Sequence, residues 1–553
     1  MRFFLSPCDD IGEVLLKVKH SGEPCEVVFS PGVFCLHTEV MHSSPSIAHD
    51  EGCGRVEEKR VHLLLKDIDN LSLCGSVDEQ NRIVTILVAS NTDEKQSLLP
   101  TLLWAEGCGH LQLKNLILRR SPSAVLSATV SSVEDDAVFL DAMNKDGKEG
   151  ELFPLYCMNA LDADGRLRTT SLTYGFGSVP SMKWIGKGRA VVQDASLASQ
   201  LKEGQLISAH QGGRTDFFLF FGRCDDLKLE NIIIDSANGM AILTEQCCTI
   251  EANYLTIAPQ KGSYFTTSRD GWKLYRCSGS ITLDQCHIEG TRMDGQNIHS
   301  NFLTVSDVLD SHTLLCSCKY APLALKEGSL VSFGSQSPYF ERTLKDWELV
   351  SSSFVSPTQE KSEGSAPIVG RENRINVYRL RFKERVSAFC CVGMLARALC
   401  WEVDSYRCRN SMFSNIAGAA IMLRCSNAIV EGNTFMNCMN AGILIGSELA
   451  THQECSHANN VLVQNNLFVG NGFKSRYGRF GIGGVSIHSQ GFTTACNEAI
   501  TLRENSFYDA QLALQISCAR DVLIEGNRYK NISKRLSCDS ASTHELIDKE
   551  FGV

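Results

Sequence analysis

Short apolar runs punctuated by Gly, Asn or Ser recur along this chain in one frame, apolar-x-apolar-polar-x-Asn-x-apolar. The frame reads Leu113-Lys-Asn115-Leu-Ile-Leu, Leu229-Glu-Asn231-Ile-Ile-Ile and Ile250-Glu-Ala-Asn253-Tyr-Leu. It returns at Val430-Glu-Gly-Asn433, Val463-Gln-Asn-Asn466, Leu502-Arg-Glu-Asn505 and Leu523-Ile-Glu-Gly-Asn527. Asn231 and Asn253 are 22 positions apart and Asn410 and Asn433 are 23 apart, which sets the period; longer gaps hold loops. Each unit carries two or three runs that alternate in character every second residue and are too short for helices. A further run follows the Asn, as in Ala420-Ile-Met-Leu, Gly442-Ile-Leu-Ile and Leu512-Ala-Leu-Gln-Ile. One such unit cannot bury its own inward face, so neighbours must stack over a shared core. The expected fold is all-β, a right-handed parallel β-helix. Asn favours turns and bonds well to a stacked neighbour, so Asn410, Asn433, Asn466, Asn505 and Asn527 are read as scaffold.

The rhythm breaks twice. Residues 119–222 and 304–384 read as antiparallel strands of another spacing, two small β-barrel or sandwich insertions emerging from coil turns. The expected organisation is therefore a cap and first coils (1–118), an inserted barrel (119–222), coils 223–303, a second barrel (304–384) and final coils (385–553). Ile11, Val14, Leu15 and Val18 recur at helical spacing between Asp10 and Lys19, predicting an amphipathic helix over the open end of the stack. The tail from Ser540 is polar and expected to be peripheral.

Composition narrows the partners. The 553 residues carry a formal net charge of −10 and no long basic run, which argues against nucleic acid as ligand. No segment resembles a signal peptide or an uncharged membrane span. The 24 cysteines are scattered or doubled, and Cys316-Ser-Cys318 has no second pair to complete a metal site. They are read as reduced, mostly buried thiols, with a cytoplasmic location, no metal and no cofactor expected.

The densest polar cluster outside the repeat is Arg269-Asp-Gly-Trp-Lys273 and Arg292-Met-Asp-Gly-Gln-Asn-Ile-His299. Asp270 and Asp294 are 24 positions apart, one coil, so both carboxylates are expected at one angular position on adjacent coils. Two carboxylates over one groove suit glycoside hydrolysis. Asp-Gly is equally a good turn sequence, with Gly supplying positive φ. Trp272 offers an aromatic face for a sugar or plain packing. His299 serves a substrate hydroxyl or a core hydrogen bond.

The stretch Arg269 to His299 resembles the active-site coils of glycoside hydrolase family 110, inverting α-1,3-galactosidases that remove terminal galactose. Asp270 matches the family's first Asp, Cys277 and Gly279 its Cys-x-Gly, and Cys286 its second Cys. Asp294, Gly295, Asn297 and His299 match its Asp-Asp-Gly-x-Asn-x-His-Gly segment. Ser236-Ala-Asn-Gly-Met-Ala-Ile resembles the preceding coil, where Gln246 sits at a family Gln. Glu454 resembles a glutamate that contacts sugar. The departures are Met293 at the first Asp of the adjacent pair, Ser300 after His299, and Ser-Asn-Ile-Ala-Gly-Ala at 414–419 where arginines are expected.

The resemblance implies an exo-acting, inverting, metal-independent hydrolase of terminal α-linked galactose. Asp270 and Asp294 would divide acid and base roles, with Glu289 or Glu454 as substitutes for the missing acid. Gln246, Trp272, Asn297, His299 and Glu454 would bind the sugar. Rival readings are a glycan-binding protein without catalysis, and a polysaccharide lyase using acids such as Asp225-Asp226 or Glu134-Asp135. The remaining one is a purely structural β-helix.

Overall fold

The computed structural model describes residues 1–43, 58–90, 99–153, 155, 157–167, 182–210, 217–318, 325–334, 340–355, 373–449, 452–474 and 481–547. Period-2 alternation turns every second side chain inward, and the runs stack as a parallel β-helix with three sheet faces. The first face runs from Arg2–Leu5 through His110–Ser121, Asp226–Ser236, Thr249–Ile257 and Ser280–Asp284 to His544–Ile547. The third face, which carries the candidate chemistry, includes Met240–Glu245, Trp272–Tyr275, Gln296–Asn301, Ile421–Leu423, Ile443–Ile445 and Val485–Ile487. Inward residues fuse into one continuous core. Within it Phe413, Phe435, Phe468, Phe507 and Tyr529 stack ring on ring at interplanar angles of 17°, 12°, 7° and 10°.

The repeated asparagines occupy two different places. Asn115, Asn231 and Asn410 stand at the bend itself, with φ of 55°, 52° and 52°. That left-handed conformation suits Asn, and Asn231 Nδ2 donates to Asn115 Oδ1 across the coils at 2.8 Å. Asn433, Asn466, Asn505 and Asn527 lie one position later and point inward, 0–2 % exposed. Asn466, Asn505 and Asn527 each accept at Oδ1 from the backbone N–H of the preceding Asn in the stack, at 2.9, 3.0 and 2.9 Å, and Asn433 Oδ1 accepts from the Ser411 N–H at 2.9 Å. This stack is scaffold, as the pattern implied. Asn466→Ala strands the Asn433 amide and the Val430 carbonyl it serves. A loss of about 2–4 kcal/mol is expected, read as a lowered thermal midpoint.

The capping helix is Ile11–Ser21. Asp10 accepts from the Gly12 and Glu13 N–H groups, Gly22 closes the end in the left-handed region, and Ile11, Leu15 and Val18 cover the first coil. The first insertion is a seven-stranded antiparallel sheet between Val125 and His210, with its own core around Leu126, Val138, Trp184 and Ile207. The second is a closed six-stranded barrel. Its last strand, Leu395–Ala398, lies beyond the boundary expected at 384, because strand Leu303–Val308 needs that edge partner to close. The polar tail likewise contributes a rung: His544–Ile547 pairs with Val522–Glu525, and residues 548–553 lie outside the described ones.

Candidate functional site

Each coil enters the third face through a tight corner. One holds Thr266–Asp270, and the next holds Gly290–Asp294. Thr266 N donates to Gly290 O at 2.7 Å and Gly271 N to Asp294 O at 2.8 Å, which locks the two corners in register. Asp270 and Asp294 therefore stand one above the other, 2 % and 4 % exposed. Asp270 Oδ1 accepts from the Asp294 N–H at 3.1 Å, and Asp294 Oδ1 accepts from the Ala419 N–H at 2.8 Å. The glycine of each Asp-Gly pair is there for close approach. A Cβ on Gly271 would lie 2.7 Å from Gly295 O, and one on Gly295 2.5 Å from Ala420 O. Neither glycine has a positive φ, so the turn reading of these dipeptides is replaced by one of coil-on-coil contact.

The inserted sheet covers this corner. Tyr264 N donates to Ser127 Oγ at 3.1 Å, Asn144 Nδ2 to Ser263 Oγ at 2.6 Å, and Val125, Leu161 and Leu167 pack with Phe265 and Ala417. His210, fully buried on that sheet, sets its ring 5.0 Å from Phe265. Burial, and then the Arg292 charge, push its pKa well below the usual imidazole range. Arg269 and Arg292 belong to the same two corners and are also buried.

A second polar cluster occupies the other end of the strand. Tyr275 and His299 are in register, with rings 4.9 Å apart. Glu454 reaches them from a short strand paired antiparallel to Ser300 and Asn301. Arg424 Nη2 lies 2.7 Å from Glu454 Oε2, and Arg424 Nη1 donates to Asn297 Oδ1 at 2.9 Å. His299 Nε2 is 3.6 Å from Glu454 Oε1. Burial brings the His299 pKa down to about 3 against the pull of Glu454, leaving the imidazole neutral. Burial opposes charge on Glu454, but Arg424 and the neighbouring cations outweigh it and hold the carboxyl well below its usual range. Tyr275 hydroxyl and Arg276 both donate to Asn301 Oδ1.

Two expected groupings are thus separated. Asp270 and Asp294 come together, and Asn297, His299 and Glu454 come together. Asp294 lies in the corner that precedes strand Gln296–Asn301, whereas His299 lies within that strand, level with Tyr275. Trp272 is corrected outright: alternation turns it into the core beside Ile242, Leu274 and Ile298, where it meets no sugar. Gln246 follows the end of strand Met240–Glu245 at φ 56°, its backbone N–H on Tyr275 O, remote from the aspartates. Glu289 lies on another face, held by His287 and Asn415. Sequence reasoning missed Arg424, Asn301 and the inserted sheet's His210. Arg424 follows His299 in the stack yet stands 125 positions later, because the barrel intervenes.

No family model matches the chain. Among curated proteins, α-1,3-galactosidase B of Phocaeicola vulgatus is 23% identical over 281 residues, 49% of this chain and 44% of that protein. α-1,3-Galactosidase A of Shewanella woodyi is 26% identical over 247 residues, 43% of this chain and 37% of that protein. These are distant relatives. The chain spans less than half the length of each. Among solved structures, the catalytic unit of a GH87 α-1,3-glucanase from Streptomyces thermodiastaticus is 8% identical with a TM-score of 0.40, covering 97% of this chain and 64% of that one. A family 28 exopolygalacturonase from Yersinia enterocolitica is 9% identical with a TM-score of 0.36, covering 99% and 78%.

Proposed function

We propose that the chain is a glycosidase-type protein that holds a terminal α-linked galactose at the Asp270–Asp294 corner. The observation that carries this reading is the stacking of the two aspartates on consecutive coils beneath the inserted sheet. The distant relationship to proteins named α-1,3-galactosidases supports the sugar.

The stacking also constrains the chemistry. Both carboxylates bond the backbone of the following coil in the same way, so they are offset by about one coil rise, ~4.8 Å. Acid and base of an inverting enzyme are about 6.5–9.5 Å apart, leaving room for water between them. The aspartate pair therefore serves one side of the sugar, where it orients and deprotonates the attacking water. The proton donor for the leaving oxygen falls to position 293, beside Asp294 and less buried, where this chain has Met. Neither Glu289, on another face, nor Glu454, held ionised by Arg424, replaces it.

Substrates whose leaving group departs unprotonated should accordingly be turned over, and α-1,3-linked oligosaccharides far more slowly. α-Galactosyl fluoride is the test. Hydrolysis with β-galactose as the first anomer in proton NMR is expected, falling at least about 10²-fold in Asp270→Asn and Asp294→Asn. Unchanged hydrolysis in both variants defeats the assignment. Met293 equally favours a second reading, a galactoside-binding protein without turnover, which galactose binding and an inert fluoride would establish.

A further inference from the structure

The inserted sheet turns a polar strip toward the coil corner. Register places Ser127 and Asn159 on either side of Ser208, with Leu161 next to Asn159 on the same face. That face is the one facing the coils, since Ser127 receives the Tyr264 N–H and Leu161 packs on Phe265. Asn159 is fully buried there, and neither its amide nitrogen nor its amide oxygen has a hydrogen-bond partner among the described residues.

The coil side shows the same anomaly. Asn238 belongs to the corner one coil before Asp270, where Ala237 N donates to Thr266 O and Arg269 N to Gly239 O. It therefore lies alongside Ser268. Asn238 is fully buried with both amide atoms unpartnered among the described residues, and the Ser268 hydroxyl is equally buried and unpartnered. The insertion is tied to this corner by Ser236 Oγ, which donates to Ser123 Oγ at 3.2 Å. Burying an amide without partners is costly, so a buried group with no partner in the protein points to a bound water or a ligand.

We infer that Asn159, Asn238 and Ser268 are the hydroxyl-binding groups of the site, and that their ligand is a neutral hexopyranose. Each can both donate and accept, as a sugar hydroxyl requires. The charges at the corner balance, with Arg269 and Arg292 beside Asp270 and Asp294, so nothing there favours an anionic sugar. The wall of the binding site is then supplied by the insertion, and its floor by the β-helix. This rests on the reading of the corner as a galactose site.

The test uses the full chain, with galactose and galacturonate as probes in thermal unfolding and α-galactosyl fluoride in kinetics. Galactose should raise the midpoint of the parent, and galacturonate should not. Asn159→Ala, Asn238→Ala and Ser268→Ala should unfold no earlier than the parent without sugar, because the side chains removed have no partners to lose. They should lose the galactose-induced shift and raise KM for the fluoride by about tenfold or more. A variant that unfolds well below the parent overturns the inference, as does a retained galactose shift or an equal response to galacturonate. Turnover by the parent with unaltered KM in all three variants defeats this inference and leaves the hydrolase reading. A galactose shift lost in the variants, with no turnover by the parent, leaves the binding site and removes the hydrolase.

Discussion

Replacing Met293 with Asp is expected to accelerate release of galactose from an α-1,3-linked disaccharide by about 10²–10⁴-fold, the usual contribution of a general acid. A thioether cannot give up a proton, and an offset of about one coil rise, ~4.8 Å, is shorter than the spacing of an inverting acid–base pair. Met293 is partly exposed beside the buried Asp294, so a carboxyl group fits there without being forced into the core. The gain should be confined to substrates that need leaving-group protonation. For α-galactosyl fluoride the rate should change little, since fluoride departs without help. Steady-state kinetics on both substrates, parent against variant, provides the check. Equal acceleration of both, or of neither, would show that position 293 is not the donor.

Acid is expected to unfold the protein over an unusually high pH range. His210, His299 and His457 are buried and neutral, each with its pKa lowered first by burial, that of His299 to about 3. In the unfolded chain the same imidazoles bind protons near pH 6.5. Unfolding therefore takes up protons below that value. The stability these groups contribute is complete above about pH 6.5 and is lost as pH falls toward the folded-state values. Each histidine shifts the unfolding equilibrium about tenfold per pH unit, so three together shift it roughly a thousandfold. Glu454 adds to the loss below its ordinary range, near pH 4.5, because its folded pKa is depressed as well. Urea unfolding at pH 7, 6 and 5 should show the midpoint dropping steeply, and His457→Gln should flatten the dependence. A midpoint unchanged between pH 7 and 5 would contradict the assignment of these rings as neutral.

The scaffold was legible because a parallel stack repeats one local rule. Alternation, a bend residue and an inward Asn recur at the coil length, so Asn433 to Asn527 announce the ladder they form. The stacking of Asp270 over Asp294 followed from the same count, since no excursion separates them. What escaped was whatever lay across an insertion. Arg424 and Glu454 join His299 only after the barrel and a later loop are removed from the reckoning, and His210 and Asn159 reach the corner from a sheet with its own rhythm. Trp272 was misread for a different reason. Its spacing from Asp270 says it is near the corner, but only the parity of strand Trp272–Tyr275 says it points inward.

Both insertions leave and rejoin between rungs that pair with each other directly. Asp226–Ser236 lies on His110–Ser121 as though nothing intervened, and Ile421–Leu423 lies on Gln296–Asn301 in the same way. The rungs thus set where the aspartates stand, while the cover over them is a separate sheet packed onto the corner through Ser127, Asn144, Leu161 and Leu167. On the proposed reading, exchanging that sheet between related chains would change which sugars are admitted while leaving the carboxylates where they are. Selectivity and chemical competence can accordingly drift apart in such a molecule.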